Sequence, residues 1–498
     1  MLQTKGEWLM NRGMVYFVGA GPGDIDLITV KGKKALQQAD VVIFDRLINP
    51  FLLTEVRADA KLIYCGKQPC KHTLRQEDIQ TEILIHARKG KTVVRLKGGD
   101  PAVFGRVGEE AELLAEHQIQ YEIIPGITAG IAATMYSGVP ITHRKHSNSF
   151  AVVTGHGSQK DGTPNINWGN LAKGVETIIF YMGVKHLKTI TTELISHGKS
   201  RETQALVVQW GTYSKQKTVT GSLATIANKV QQENITNPAI ILVGNVAKLR
   251  DKLAWFDQRM LSGKSFFIPS QSIANEQIVL ELKKHGADVY EHQLFSESCE
   301  YKLGASEQLK PVLRNHQLLI LSPQSAKQFV QTIGESGMDL RSIESTIYSV
   351  DDTVRMTLRQ IGIQSTVFNK KNLSAAVLIG SDLEIENFKH HFNEATIQLA
   401  LTKSTVTQKD IEAFARLIEE QHVNTLLFTK RIEALKFLTF LTNSGLTKTE
   451  IKAATEIICT DQEAKHLLEQ NGMRVNLLID DVRSLLELNE SVVLAKES

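Results

Sequence analysis

Short apolar runs alternate with amphipathic segments along most of this 498-residue chain. Apolar, β-branched runs bounded by glycine or polar residues predict buried strands. In the first half they lie at 14–18, 41–44, 61–64, 93–97, 121–124, 150–154, 177–181, 205–209 and 239–243. Helical periodicity predicts helices at 29–38, 78–89, 105–117 and 129–136. Strands that alternate with helices predict an α/β fold.

Polar side chains follow three of the predicted strands. Asp45 comes after 41–44, Lys67 follows 61–64 and Asp100 follows 93–97, where Gly98 and Gly99 end the strand. Two glycines permit backbone angles and a close approach that side chains forbid. Open α/β sheets bind ligands beyond the carboxyl ends of their strands. We therefore expect Asp45, Lys67 and Asp100 to meet at one edge of a sheet.

The pattern divides the chain into units. Residues 14–124 and 125–256 each read as an αβ unit, whereas residues 1–13 lack periodicity, so that Met14 is a candidate for the true start. A polar link follows, and 264–488 shows a different pattern with an internal repeat in which 318–323 resembles 425–430. Each side of the link is long enough for its own core, so we expect 1–262 and 263–498 to fold separately.

Composition narrows the functional classes. A net charge of +3 argues against a general nucleic-acid binder, and 42% hydrophobic residues suit globular units. No apolar run approaches the ~18 residues that span a membrane, and the N-terminus lacks a signal-peptide pattern. The four cysteines have no zinc-site spacing, which predicts reduced thiols, no metal and a cytoplasmic protein.

Gly19-Ala20-Gly21-Pro22-Gly23-Asp24 after the first strand invites a dinucleotide-binding interpretation, with Asp45 as the ribose-binding acid. That motif needs a third glycine where Asp24 stands. Pro22 also removes an N–H at a point where the motif requires donors to a pyrophosphate. The sequence therefore disfavours a nicotinamide cofactor.

The turns, taken in order, resemble those of the tetrapyrrole methylase family, and most closely those of its members that methylate uroporphyrinogen III. Besides 19–24, the motifs are Asp45-Arg46-Leu47, Gly66-Lys67, Arg95-Leu96-Lys97-Gly98-Gly99-Asp100-Pro101, Pro125-Gly126-Ile127-Thr128, Gly138-Val139-Pro140-Ile141-Thr142-His143-Arg144, Tyr181-Met182-Gly183 and Trp210-Gly211-Thr212. Together they span residues 14–256, and the occurrence of all of them in the family's order is very specific.

The resemblance implies two αβα domains with S-adenosylmethionine in the cleft between them, and a homodimer. The positions that correspond to the family's cofactor contacts are Pro22, Gly98, Gly99, Asp100, Val103, Thr128, Ala129, Met182 and Gly211. The family's proton acceptor and donor correspond to Asp45 and Lys67, and Arg46 is the third candidate catalytic residue.

The substrate that the resemblance implies is a macrocycle with eight carboxylates, which needs a cationic entrance. Cations in predicted loops or at their edges are Arg46, Lys67, Arg106, His143, Arg144 and Lys145. The pyrrole carbon is itself the nucleophile, so that the protein mainly orients the reactants and supplies a base, Asp45. Methylation at C2 and C7 would give precorrin-2, a precursor of sirohaem and cobalamin.

The C-terminal unit resembles the uroporphyrinogen-III synthase family, which implies two α/β lobes joined by a crossing ladder. Ser322-Pro323 and Asp352-Thr353 match turns of that family, whereas Val350 and Glu463 replace a glycine and a threonine, and 397–401 lacks the expected tyrosine. Three functions stay open: a methyltransferase fused to an active synthase, a methyltransferase with a non-catalytic tetrapyrrole- or partner-binding module, and a methylase of a later corrin intermediate.

Overall fold

We analysed a computed structural model of the chain, which describes residues 13–66, 75–157, 165–270, 273–298, 302–369, 376–392 and 396–486. Its strands form four separate sheets. The described part therefore has the α/β class that the sequence predicts, with two sheets before residue 250 and two after it.

The first sheet contains five parallel strands in the order β3-β2-β4-β1-β5. They are β1 (Met14–Gly19), β2 (Val41–Phe44), β3 (Lys61–Tyr64), β4 (Val93–Lys97) and β5 (Gln120–Ile124). Its helices are α1 (Val30–Gln38), α2 (Gln76–Arg88) and α3 (Val107–Glu116). Because all five strands run the same way, the loops that contain Asp45 and Asp100 leave the sheet at one edge, as predicted.

The second sheet is mixed, with the order β6-β7-β10-β8-β9. Its strands are β6 (Phe150–Thr154), β7 (Thr177–Tyr181), β8 (Gln204–Gln209), β9 (Lys217–Ser222) and β10 (Ala239–Val243), and its helices are α4 (Ala129–Tyr136), α5 (Trp168–Gly174), α6 (Leu187–Ser196), α7 (Ile226–Gln232) and α8 (Arg250–Leu253). β10 runs antiparallel to β7 and β8. Met182 and Trp210, which follow β7 and β8, therefore share one edge, whereas Gly244 after β10 lies at the opposite edge.

The third and fourth sheets have the orders β12-β11-β19-β20-β21 and β13-β18-β17-β14-β15-β16. Their strands are β11 (Ser265–Ile268), β12 (Asp288–Glu291), β13 (Ser296–Ser298), β14 (Gln317–Ile320), β15 (Thr346–Ser349), β16 (Thr366–Val367), β17 (Val377–Ser381), β18 (Gln398–Thr405), β19 (Thr425–Phe428), β20 (Glu456–Cys459) and β21 (Leu477–Leu478). The chain enters the fourth sheet along β13 and leaves it along β18, and these two strands pair antiparallel. Two lobes joined by a short ladder result, as the resemblance of this unit implied.

Nine described helices accompany these two lobes. They are α9 (Ile273–Lys284), α10 (Lys302–Val312), α11 (Pro323–Glu335), α12 (Asp352–Gln360), α13 (Asp382–Phe388), α14 (Gln408–Glu419), α15 (Arg431–Ser444), α16 (Lys448–Ala454) and α17 (Gln462–Gln470). Short 3-10 helices lie at Ile25–Leu27, Pro50–Glu55, Val184–His186, Asn245–Leu249, Leu340–Ser342 and Lys389–His391. In both copies of the repeat, a strand and a helix lead to the neighbouring strand, although α16 is an extra helix in the second copy.

The C-terminal half packs directly against the first sheet. Helix α14 lies on the 3-10 helix Pro50–Glu55, and Ala413 is part of the same buried cluster as Leu52 and Leu53. Lys409 Nζ donates to two main-chain carbonyls of the first unit, at 2.8 and 2.6 Å. The two halves are thus joined by a packed interface as well as by the polar link that the sequence predicted.

Candidate active site

Three turns of the first sheet approach each other through glycine backbone. Gly21 and Gly99 exchange two main-chain hydrogen bonds, of 3.2 and 2.7 Å. A Cβ on Gly19 would lie 2.6 Å from the Cα of Gly126, which no real side chain tolerates. These turns can therefore approach so closely only because positions 19 and 126 are glycine.

The carboxylate of Asp100 links two of these turns. Its Oδ1 accepts from Ala102 N at 2.7 Å, and its Oδ2 accepts from Gly126 N at 3.0 Å. Each oxygen has a further lone pair, so that the side chain can still accept from a ligand. Asp100 therefore holds the turn after β4 against the turn after β5, a role that the sequence did not indicate.

Tyr181, at the end of β7, contacts the end of the turn after β5 and the start of α4. Its hydroxyl is 2.6 Å from Thr128 Oγ1 and accepts from Gly130 N at the start of α4. Burial raises the pKa of Tyr181, so the phenol stays protonated. The next residue, Met182, has a left-handed backbone (φ 56°) and a side chain that is 47% exposed.

The turn after β8 is tied to the turn after β1. Thr212 Oγ1 accepts from Asp24 N at 3.0 Å, and Tyr136 OH donates to Asp24 Oδ2 at 2.9 Å. A Cβ on Gly211 would lie 2.2 Å from the Cβ of Ala133 in α4, so that this turn too needs glycine. Asp24, which breaks the dinucleotide motif, is therefore a structural connection between the two sheets.

We define the loop cluster as residues 19–24, 98–106, 125–130, 181–183 and 210–213. Non-glycine residues with a left-handed backbone are concentrated in it: Phe104, Arg106, Met182, Trp210 and Thr212 have φ between 50° and 73°. Such conformations cost energy, and they persist where the surrounding structure imposes them, often at ligand sites.

The candidate cofactor residues all lie in this loop cluster. A Cβ on Gly99 would be 3.7 Å from both Ala129 N and Thr128 Cα, so the missing side chain leaves room between the two turns. The exposed thioether of Met182 adds an apolar surface. Backbone room, exposed main chain and an apolar side chain fit a flat nucleoside cofactor with an amino-acid tail.

A buried ion network lies below Asp45. Arg95 Nη2 donates to Asp45 Oδ1 at 2.7 Å, while Lys97 Nζ donates to both oxygens of Glu110, at 2.9 and 3.1 Å. Arg95 Nε lies 3.6 Å from the same Glu110 carboxylate. Burial and the neighbouring charge of Arg95 lower the pKa of Lys97. The Asp45 side chain remains 34% exposed, so that Arg95 holds it on its buried side while its other side is open to solvent.

Two of the predicted entrance cations are ion-paired. Arg46 Nη1 lies 2.9 Å from Glu420 Oε2, and Arg106 Nη2 lies 2.6 Å from Glu109 Oε2. Lys67, the candidate proton donor, lies outside the described residues. The entrance is therefore not a ring of unpaired cations, because at least Arg46 and Arg106 have acidic partners.

The sequence analysis placed Arg95, Lys97 and Tyr181 in motifs but gave them no role. Arg95 and Lys97 alternate on one face of an otherwise apolar strand, and this pattern alone could have indicated a buried charge pair. Tyr181 and Tyr136 had no comparable signal, because their partners lie 53 and 112 positions away.

The described cysteines and the candidate metal ligands lie outside the loop cluster. Cys65 and Cys459 are unpaired and buried, and burial raises the pKa of Cys65 to about 11. Cys70 and Cys299 lie outside the described residues. Within the described ranges, one trio of groups could hold a metal ion, His390, His391 and Glu463 of the C-terminal lobes. No helix among the described residues has the length and apolarity needed to cross a membrane.

The comparisons with known proteins match the N-terminal half of the chain. The family model of tetrapyrrole (corrin/porphyrin) methylases matches residues 14–227. A uroporphyrinogen-III C-methyltransferase of Priestia megaterium is 55% identical over 235 residues, 47% of this chain and 98% of the relative. The solved uroporphyrin-III C-methyltransferase of Thermus thermophilus with S-adenosyl homocysteine is 35% identical, covers 48% of this chain and 100% of its own, and has a TM-score of 0.42.

One relative extends through both halves. A uroporphyrinogen-III C-methyltransferase of Bacillus subtilis is 35% identical over 456 residues, which are 92% of this chain and 93% of the relative. Its match includes the C-terminal lobes as well as the loop cluster. The chain therefore belongs to the tetrapyrrole methylase family of S-adenosylmethionine-dependent methyltransferases.

Proposed function

We propose that this protein methylates uroporphyrinogen III at C2 and C7 to give precorrin-2, for sirohaem or cobalamin biosynthesis. The observation that carries the proposal is the match to the Bacillus subtilis methyltransferase over 92% of the chain. The loop cluster supports it, because glycine turns from two sheets lie against each other where a cofactor and a macrocycle would meet.

When bound, S-adenosylmethionine supplies an electrophilic methyl group on a positively charged sulfur. The residues that would hold it are the nine candidates from Pro22 to Gly211 named above, with Gly99 providing the room and Met182 an apolar wall. Phe104 and Leu47, which are 42% and 44% exposed, would cover the macrocycle and limit access of water.

Asp45 is the proposed proton acceptor, because methylation of a pyrrole carbon is followed by loss of a proton. Arg95 holds one carboxylate oxygen at 2.7 Å and so fixes the orientation of the base. Arg46, on the next position, would bind a substrate carboxylate through a charge-assisted hydrogen bond. Lys67 stays the proposed proton donor.

The test is a mass analysis of the products of the purified chain with S-adenosylmethionine and uroporphyrinogen III under anaerobic conditions. We expect two added methyl groups, and nuclear magnetic resonance of the product should place them at C2 and C7. Absence of methylation, with turnover of a later corrin intermediate in a parallel reaction, would refute this substrate and favour the corrin alternative.

We also propose a homodimer in the cytoplasm. Apolar side chains on and beside α4 are exposed in the monomer: Ile131 by 39%, Met135 by 50%, Leu253 by 47% and Trp255 by 49%. Trp255 Nε1 donates to the Met135 carbonyl, so these residues form one patch. Light scattering should give twice the chain mass, and Met135→Lys should lower it, whereas Leu280→Lys on α9 should not.

The second candidate function is a uroporphyrinogen-III synthase activity of the C-terminal lobes. The two lobes and the β13–β18 ladder favour it, since the synthase resemblance implied that architecture. The full-length chain without S-adenosylmethionine should then convert hydroxymethylbilane into the type III isomer. Formation of the type I isomer alone would leave a non-catalytic binding module as the function of these lobes.

A further inference from the structure

A short segment of the C-terminal half reaches both halves of the methyltransferase. Residues 420–422, which follow α14, contact Arg46 in the turn after β2 and the turn after β8. These two turns belong to different sheets and flank the loop cluster. We call residues 420–422 the bridging segment.

On the side of the first sheet, the contact is the ion pair between Arg46 and Glu420. Nη1 and Oε2 are 2.9 Å apart, and the side chains are 39% and 14% exposed. One terminal nitrogen of the guanidinium is therefore engaged, while a guanidinium has five N–H donors. Arg46 can thus be held by Glu420 and still bind a carboxylate of a ligand.

On the side of the second sheet, Lys215 and an aromatic stack hold the bridging segment. Lys215 Nζ donates to the main-chain carbonyls of Glu420 and Gln421, at 2.7 and 3.1 Å, and lies 4.0 Å from the centre of the Trp210 ring. His422 is 2% exposed and stacks on Tyr213 with ring centres 4.4 Å apart. Main-chain contacts and stacking fix the backbone that carries Glu420.

Helix α14 fixes the segment from its other end. Arg416 lies 3.3 Å from the centre of the Tyr64 ring and 2.6 Å from Glu412 Oε1, and Lys409 caps carbonyls of residues 54 and 56. An exposed ion pair between two free side chains contributes little, because both must be ordered. Glu420 differs, since its position is already set by the helix and by Lys215.

We propose that Glu420 is a positioning residue of the methyltransferase, supplied by the C-terminal half, which orients the Arg46 guanidinium to receive a carboxylate group of the tetrapyrrole. This inference rests on the proposed function, in which Arg46 binds the substrate. The C-terminal lobes would then contribute to methylation by holding a substrate-binding side chain, whatever chemistry they perform themselves.

The experiment compares Glu420→Ala with Glu419→Ala in the full-length chain. Glu419 is the matched control, because it is the adjacent acid, is 49% exposed and pairs with Arg416 within α14. We expect Glu420→Ala to raise the KM for uroporphyrinogen III about fivefold or more, the scale of an oriented charge contact. The kcat and the calorimetric affinity for S-adenosylmethionine should stay within about twofold of the parent.

A double-mutant cycle separates positioning from a general structural effect. Arg46→Gln should raise KM by itself, and Glu420→Ala should add nothing in that background. Additive effects, or a KM for folded Glu420→Ala that equals or falls below the parent value, would overturn the inference. The second result would mean that Glu420 competes with the substrate for Arg46.

Uroporphyrin, an oxidised octacarboxylate that cannot be methylated by this reaction, provides a readout that does not need turnover. Its affinity, from fluorescence quenching, should fall in Glu420→Ala and stay at the parent value in Glu419→Ala. A parent that binds uroporphyrin in this pattern but does not methylate uroporphyrinogen III would refute the proposed function alone. Equal affinities in parent and both variants would refute the positioning role.

Discussion

Glu110→Gln tests the buried ion network below Asp45. The Glu110 side chain is fully buried and accepts from Lys97 Nζ at 2.9 and 3.1 Å and from Gln76 Nε2 at 2.8 Å. The substitution preserves the shape of the side chain but removes its charge. Two buried cations, Arg95 and Lys97, would then share a single carboxylate, that of Asp45.

The magnitude follows from the burial of the partners. The side chains of Lys97 and Arg95 are only 6% and 3% exposed, so that water screens the network poorly. At an effective dielectric constant of about 20, a pair 2.9 Å apart interacts by about 6 kcal/mol. Removing one partner of a buried pair costs about 3–5 kcal/mol. Because the amide oxygen still accepts one hydrogen bond, we expect a loss of about 3 kcal/mol.

The stability loss of Glu110→Gln should change with pH in a defined direction. Burial lowers the pKa of Lys97, and Glu110 opposes that shift. Without Glu110 the pKa of Lys97 falls further, so that the folded variant loses this proton at a lower pH than the unfolded chain does. Raising the pH then removes the uncompensated charge. The deficit of Glu110→Gln relative to the parent should therefore shrink as the pH rises from 7 towards about 10.

Hydrogen exchange read by mass spectrometry is the suitable assay, because a chain of several units does not unfold in two states. Peptides from β4 and α3 should lose protection in Glu110→Gln. The control Glu109→Gln removes an exposed partner of Arg106 and should leave the protection of these peptides unchanged. Equal protection in both variants at pH 7, or a deficit that grows with pH, would refute the reasoning.

Four other predictions follow from the same contacts. Gly99→Val should weaken S-adenosylmethionine binding by at least about 2 kcal/mol in calorimetry, because its side chain would fill the room between two turns. Asp45→Asn should retain cofactor affinity but lower single-turnover methylation about 10²-fold, and parent-like turnover would make Asp45 a binding residue only. Burial raises the pKa of Asp288 to about 7, so the stability of the fold should fall as the pH rises from about 4 to 7. In Asp288→Asn the side chain can still accept from Ser214 N but cannot ionise. The variant should therefore raise the melting temperature at pH 8 and leave it unchanged at pH 4. Residues 1–262 should fold and methylate by themselves. The fragment should melt at a lower temperature than the full-length chain, because Phe51 loses its packing on Tyr290. A fragment without the circular dichroism of a folded protein would contradict the prediction that this half folds alone.

The polar link and the α14 interface together illustrate how far a linker can be interpreted. The polar link at 257–264 has different sheets on either side of it. It contains no information about the α14 interface, in which Ala413 joins the buried cluster of the first sheet. Surface contacts between units depend on residues that are ordinary for an amphipathic helix, and so they have no separate signature in the sequence.

The sequence alone determined most strands of the first half, the helices of its first sheet and the glycine turns, whereas β9 and helices α5, α6 and α7 were not predicted. Strand and helix patterns are local, and a turn in which a Cβ would lie 2.6 Å from a neighbouring backbone, as at Gly19, can accept only glycine. Family resemblance then associates those turns with a cofactor. The strand patterns and the glycines can be recognised within a few residues of chain, but the reason that position 19 accepts only glycine is tertiary, because a Cβ there would meet the backbone of Gly126.

Only the tertiary structure decided which side chains act together. It made β10 antiparallel to its neighbours and placed Glu110 next to Arg95 and Lys97 of β4. It also brought Glu420 to Arg46 across 374 positions of sequence. A buried charge is stable only beside a partner, but that partner can come from any element that packs there. The chemistry at each position was therefore visible in the sequence, whereas its partner depended on the packing of the whole chain.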